Sequence, residues 1–416
     1  MAGGTAVVQG AHDMTRHGVL KQADLPLEAL ILLIAGMTLL ITGILLFPVS
    51  TGALAYYENG LYGVLLVMFA VQMIALGKTP FGDLRTSKLP LVVGVIIAAV
   101  GIVTCFIPDL FSDAPRILLF VCFGPGGLLL LLQMILDKQK LRAWARYGGV
   151  FRQLIAACTS VYVLSMLVGG LILFPSLLTT TLTAVVVLLY GAAIVYLALV
   201  LRVVYLRYPE AAQPPAGDAA LPIDKAMLLL MGVFMLLLGL LLIPVSRGKL
   251  PFAGSAQLGL LMIIIAIQMV ASGSTPLGAF RRSWLMVGGG FVFAALGIVS
   301  CIIPDVLVPT LTYLVGALNV LGGAIVLVKS FLPRLSRRGA PREPQPPLLV
   351  KLFVATVIMN ALTIVFGTTM FFSGLLPPAV IGVVLAANGC VLLYLLHILV
   401  VLDKLQGNGE VAAQPS

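Results

Sequence analysis

Apolar positions along this chain gather into twelve runs, at 27–47, 60–76, 89–107, 116–136, 153–174, 180–201, 226–243, 256–272, 284–303, 309–328, 350–372 and 379–402. Polar, basic or proline-rich segments separate them. Crossing a hydrocarbon layer takes about 20 apolar residues in a helix, so each run is long enough for one span. The pattern predicts an all-α polytopic membrane protein of twelve transmembrane helices.

Polar punctuation between the runs shows how they are organised. A shift of 196 residues carries "GIVTCFIPD" at 101–109 onto "GIVSCIIPD" at 297–305, and Pro48-Val49-Ser50 onto Pro244-Val245-Ser246. Gly77, Thr79, Pro80, Gly82, Arg85 and Ser87 likewise meet Gly273, Thr275, Pro276, Gly278, Arg281 and Ser283. From Gly43 to Asp109, 31 of 67 positions are identical to their partners in Gly239–Asp305 without a gap. Composition alone does not align polar residues at a fixed offset, so the halves are a duplication. Within each half, glycine, an apolar stretch and proline close every odd-numbered run ("GILLFPVS", "GIVTCFIPD", "GGLILFPS"). The expected unit is a helical hairpin, three per half, with all tips on one side. Repeats of that kind are parallel, related by an axis along the membrane normal.

The expected organisation is therefore an amino tail at 1–26, a six-helix repeat at 27–204, a linker at 205–224 and a second six-helix repeat at 225–402. Another linker at 332–348 precedes the last hairpin, and a tail follows at 403–416. No small-residue cleavage site follows the first run, which is expected to stay as a helix.

Composition agrees with this picture. Hydrophobic residues make up 61% of the 416 and charged residues 10%, too few to cover a soluble protein of this size. The net charge of +10 does not point to nucleic acid, because of where the charges lie. Of the 25 Lys and Arg, all but Arg116, Arg247 and Lys249 fall in the tails and in the loops on one side. By the positive-inside rule, that side and both termini are cytoplasmic.

Three tandem hairpins of the form G-x-x-x-x-P, six spans in just under 200 residues, resemble the HdeD-type acid-resistance membrane proteins of bacterial inner membranes, here in two tandem copies. That resemblance implies a non-enzymatic structural or stress-tolerance role in the bacterial inner membrane. Its partners would be the lipid bilayer, further copies of the chain or a membrane complex. The doubled length and the T-P-x-G-x-x-R-x-S loops depart from the family pattern. Twelve spans with the loops "GKTPFGDLRTS" and "GSTPLGAFRRS" also bear comparison with the major facilitator superfamily, whose loop reads G-x-x-x-D-R-x-G-R-R. Asp83 has no counterpart at Ala279, and the second glycine is missing. A transporter or channel for an uncharged solute is thus the second reading, and a subunit of a larger membrane complex the third.

Candidate chemistry is sparse. No Asp, Glu, Lys or Arg lies near the middle of any run, which argues against a proton pump or a voltage sensor. Gln72, Gln133, Gln268, Asn319, Asn360 and Asn388 are the polar groups at depth; they either bond helix to helix or line a solute path. Phe123-Gly124-Pro125-Gly126-Gly127 falls mid-span. It is either a helix break able to build a site, as discontinuous helices do in transporters, or a kink with small-residue packing. Arg85, Arg281 and Arg282 are expected to anchor the inner loops to lipid phosphates. Cys105 and Cys301 each precede a Pro-Asp step and are expected at equivalent places near the outer interface, as packing residues, a disulfide or a redox or metal site. The Pro-Asp step reads as a helix stop, with the aspartate accepting backbone hydrogen bonds. Met227, Met231 and Met235 form a stripe suited to packing. His12 and His17 lie in the amino tail, unsuited to holding haem in the membrane. The five cysteines form no CxxC or Cys/His cluster. No enzyme motif, metal site or cofactor is expected.

Overall fold

The computed structural model describes residues 25–83, 88–136, 149–208, 221–275, 277–279, 282–336, 347–372 and 374–412. Twelve long helices make up nearly all of it. The first half holds α1 (Leu27–Ser50), α2 (Glu58–Leu76), α3 (Leu89–Phe106), α4 (Ala114–Leu136), α5 (Val150–Leu173) and α6 (Thr180–Arg207). The second holds α7 (Ile223–Ser246), α8 (Gly254–Ser272), α9 (Trp284–Ile302), α10 (Val308–Ser336), α11 (Pro347–Phe371) and α12 (Pro378–Ala412). All twelve are long and apolar enough to cross a membrane. The chain is an all-α polytopic membrane protein.

Local sequence explains most helix ends. Gly77 and Gly273 close α2 and α8 in the left-handed conformation, at φ 64° and 74°. Thr179 and Ser283 cap the starts of α6 and α9, accepting from Leu182 N and Met286 N. Prolines behave less uniformly than their repetition suggests. The helices α3 and α9 stop two residues short of Pro108 and Pro304, whereas α1 and α7 run through Pro48 and Pro244 to Ser50 and Ser246. In the last turn, a proline costs only one helical hydrogen bond, so the helix can finish its turn around it. After Pro108 and Pro304 come Asp109 and Asp305 with φ 60° and 67°, a left-handed turn that aspartate tolerates better than most residues. The Asp109 carboxylate accepts from the Asn59 side chain at 3.2 Å, not from the backbone of the turn.

The T-P-x-G loops are built alike. In the first, β1 (Lys78–Thr79) pairs antiparallel with β2 (Gly82–Asp83); in the second, β3 (Ser274–Thr275) pairs with β4 (Gly278–Ala279). The threonine hydroxyl clamps each turn, Thr79 to Gly82 O at 2.7 Å and Thr275 to Gly278 O at 2.9 Å. The glycines sit at φ 132° and 130°, open only to a residue without Cβ. The motif is a structural turn in both halves.

Packing follows a second logic beside the hairpin connectivity. The closest neighbours are α2 with α3, α4 with α5 and α1 with α6, and likewise α8 with α9, α10 with α11 and α7 with α12. Helices α1, α6, α5, α4 and α2 thus follow one another around a ring, with α3 outside it against α2. Close crossing of α1 and α6 depends on Gly191, where a Cβ would stand 2.8 Å from Leu40 N. In the second half, Gly389 meets Leu236 N in the same way, so α6 corresponds to α12 with a shift of 198. Two extra residues therefore separate the third hairpins, and the same shift takes Gly169 on α5 to Gly367 on α11.

The halves join through α2, α3, α8 and α9, which are flanked by α1 and α7. Tyr57 N donates to Ile302 O at 2.9 Å, and Ala253 N donates to Phe106 O at 2.9 Å. Each residue of the first bond is the repeat partner of one in the second, as a two-fold axis requires. Gly60 O and Ala256 O, also repeat partners, both lie on the Cys105 sulfur, so equivalent residues share one end of the bundle. The axis therefore runs along the helices, and the repeats are parallel. Around it the core is continuous: α2 and α8 are the most buried helices. Phe106 packs edge-on against Phe234 with ring centroids 5.3 Å apart.

A candidate solute cavity in the first repeat

The ring of α1, α2, α4, α5 and α6 encloses a cavity of about 770 Å³. It starts at the end that carries the basic loops, where its wall includes Glu28, Lys78, Gln133 and Tyr205, and it reaches the helix middles at Phe69, Phe123 and Tyr190. Its size is that of sites holding drug-sized ligands.

At the basic end, the Glu28 carboxylate pairs with the Lys78 ammonium and accepts from the Tyr205 hydroxyl. Glu28 belongs to the first turn of α1, where the helix dipole also favours a carboxylate. Lys78 reaches it because Gly77 turns the chain sharply out of α2 into the hairpin. Among the described residues lining the mouth, these two opposite charges offset each other. Gln133 donates to Phe81 O at 2.9 Å, which ties α4 to the same hairpin.

At depth, three aromatic rings from three helices line the cavity, together with Leu39, Leu65 and Cys122. Phe123 stands edge-on to Phe69, with centroids 5.1 Å apart, and to Tyr190, with centroids 5.9 Å apart. The Ser165 hydroxyl donates to Phe123 O at 2.8 Å, and the Tyr190 ring packs against the Phe123 side chain. Gln72 and Tyr162 add neutral polar groups to the walls.

Of the residues singled out by sequence, Gln72, Gln133, Phe123 and Gly127 are brought to this cavity. The Phe123–Gly127 segment is not a break: α4 is continuous from Ala114 to Leu136 with Pro125 inside it. The glycines make the backbone approach its neighbours instead. A Cβ on Gly127 would stand 3.1 Å from Ser165 Oγ, and one on Gly126 would stand 2.9 Å from Pro80 O. Such packing holds the helix together around the missing donor.

The other amides lie elsewhere. In the second repeat, Asn360 donates to Thr356 O at 2.7 Å on its own helix, and Asn388 meets Thr363 Oγ1 at 3.5 Å. Asn319 sits at the crossing with Gly367, and Gln268 is the repeat partner of Gln72. Arg282 donates to Leu25 O at 2.7 Å, fastening the second loop to the start of α1. Arg85 and Arg281 lie outside the described residues. Cys105 and Cys301 are fully buried free thiols at the axis, at the end opposite the basic loops. Among the described residues, no group of three His, Cys, Asp or Glu is placed to hold a metal ion.

Sequence reading did not find Glu28, Lys78, Tyr205, Phe69, Ser165 or Tyr190. Glu28 reads as a helix-start residue and Lys78 as one more basic loop residue; the aromatics read as ordinary apolar positions. No family model, curated protein or solved structure matches the chain.

Proposed function

We propose that the protein binds an uncharged small solute in the first-repeat cavity and passes it across the membrane, without catalysing a reaction. The observation that carries this reading is the cavity itself: past a mouth where the described charges of Glu28 and Lys78 offset each other, a largely apolar pocket reaches the helix middles and carries Gln72, Tyr162, Ser165 and Tyr190 on its walls. Buried polar groups at membrane depth are costly to keep, and they commonly mark a path. In many transporters, the site lies between the repeats. Here that place is filled by packed side chains of α2, α3, α8 and α9, so the path belongs within a repeat.

The orientation follows from charge. With the basic loops and both termini on the cytoplasmic side of a bacterial inner membrane, the cavity opens inward. The test is a solute-flux panel on the purified chain in liposomes, with polyols, amides and neutral aromatics. Saturable uptake of at least one neutral solute supports the reading, and leakage no faster than in empty liposomes for all of them overturns it.

A second reading keeps the HdeD-like structural role. It is favoured by the two-fold interface, whose reciprocal backbone bonds and continuous core suit a rigid membrane scaffold. The same panel separates the two, because a scaffold passes nothing.

A further inference from the structure

The duplication provides an internal comparison for the cavity. We infer that it takes a flat aromatic ring bearing acceptor oxygens, such as an aryl ketone; this rests on reading the cavity as the solute site. Three observations converge. Its deep part carries a cluster of three rings from three helices, Phe69, Phe123 and Tyr190, with edge-to-face angles of 64° and 82°. Rings in that arrangement leave edges and faces for another ring to pack against, which is the preferred aromatic geometry. Gln72 carries an amide that can donate to an acceptor on such a ring, and Tyr190 and Ser165 add hydroxyls to the same cavity wall. The only charged groups described on the wall, Glu28 and Lys78, neutralise each other at the mouth, so nothing deep in the pocket is there to receive an ion.

The second repeat shows that the fold does not need this cluster. Applying the shifts of 196 and 198, Phe69 corresponds to Ile265, Phe123 to Asn319 and Tyr190 to Asn388. The residues that set helix spacing are kept: Gly36 and Gly232, Gly43 and Gly239, Gly191 and Gly389. One repeat thus packs the same helices with no aromatic residue at any of the three places. Three rings standing together in the other, all lining a cavity, are accounted for by what the cavity holds.

The experiment is equilibrium dialysis of the full chain in lipid nanodiscs against 2-acetylnaphthalene, with its ring-saturated analogue 2-acetyldecalin, glycerol and 1-naphthoate as comparisons and empty nanodiscs as background. The expected result is saturable binding of 2-acetylnaphthalene at least tenfold tighter than 2-acetyldecalin, and no saturable binding of 1-naphthoate. Phe123→Asn with Tyr190→Asn, which installs the residues of the second repeat, should weaken it at least tenfold; Phe123→Leu, which keeps the apolar character but removes the ring, should also weaken it. Equal binding of the aromatic and saturated ketones, or an unchanged affinity in Phe123→Leu, overturns the inference. Binding of glycerol without 2-acetylnaphthalene overturns it while leaving the solute-site reading intact. Binding of neither, with no flux of any neutral solute, overturns both.

Discussion

Cys105 and Cys301 converge on one carbonyl: their sulfurs lie 3.6 and 3.4 Å from Ala256 O. Only residues at the two-fold axis can share an acceptor this way, so the two thiols mark where the repeats meet. Next to them the symmetry is broken, because the repeat partner of Ala256 is Gly60. A Cβ on Gly60 would stand 1.9 Å from Cys301 O, closer than any real contact. Gly60→Ala should therefore lower stability by about 1–3 kcal/mol through overpacking at the axis. Thermal unfolding in detergent is the check. Cys105→Ala and Cys301→Ala, by contrast, remove only a small side chain and should insert at normal levels with flux unchanged. A variant that inserts normally yet loses flux would give the thiols a role beyond packing.

Glu28 and Lys78 should behave as a coupled pair. Their side chains are 17% and 29% exposed, so solvent screens them only in part. Glu28→Gln or Lys78→Gln alone takes the opposite charge away from a partly buried ionised group and should destabilise by about 1 kcal/mol or more. The double variant should cost less than the two single losses added together, since it removes both charges at once. A thermal double-mutant cycle in detergent measures this; additive losses would show that the pair does not interact.

Topology is open to direct measurement. Reporter fusions at Glu210 and Arg338 should read as cytoplasmic, and a fusion at Leu178, between α5 and α6, as external. A reversed signal at any of the three would contradict the assignment of the basic loops to the cytoplasm.

Much of the architecture was legible in the sequence because lipid imposes simple rules. Every spanning helix has to be long and apolar, and matching punctuation such as Pro48-Val49-Ser50 and Pro244-Val245-Ser246 reveals the repeat. The correspondence of Gly191 with Gly389 was hidden by the two-residue change in offset, and it emerges only from their shared contacts with Leu40 and Leu236. The cavity was hidden for another reason. Its wall takes a few residues from each of five helices, and in sequence a Phe69 facing a cavity looks the same as one facing lipid. Pro125 misled in the opposite direction: a proline between glycines suggests a break, but tight contacts with Pro80 and Ser165 hold α4 as one helix.

The proposed transport function turns most directly on whether solute passes through the first-repeat cavity. Ala35 lines that cavity from α1, whereas Ile44 on the same helix is 59% exposed on the outer surface of the bundle. In liposomes containing matched amounts of protein, Ala35→Phe should reduce neutral-solute flux at least tenfold, and Ile44→Phe should leave it within twofold of the wild type. Flux undiminished in a normally folded Ala35→Phe protein would contradict the claim that the path runs through this repeat.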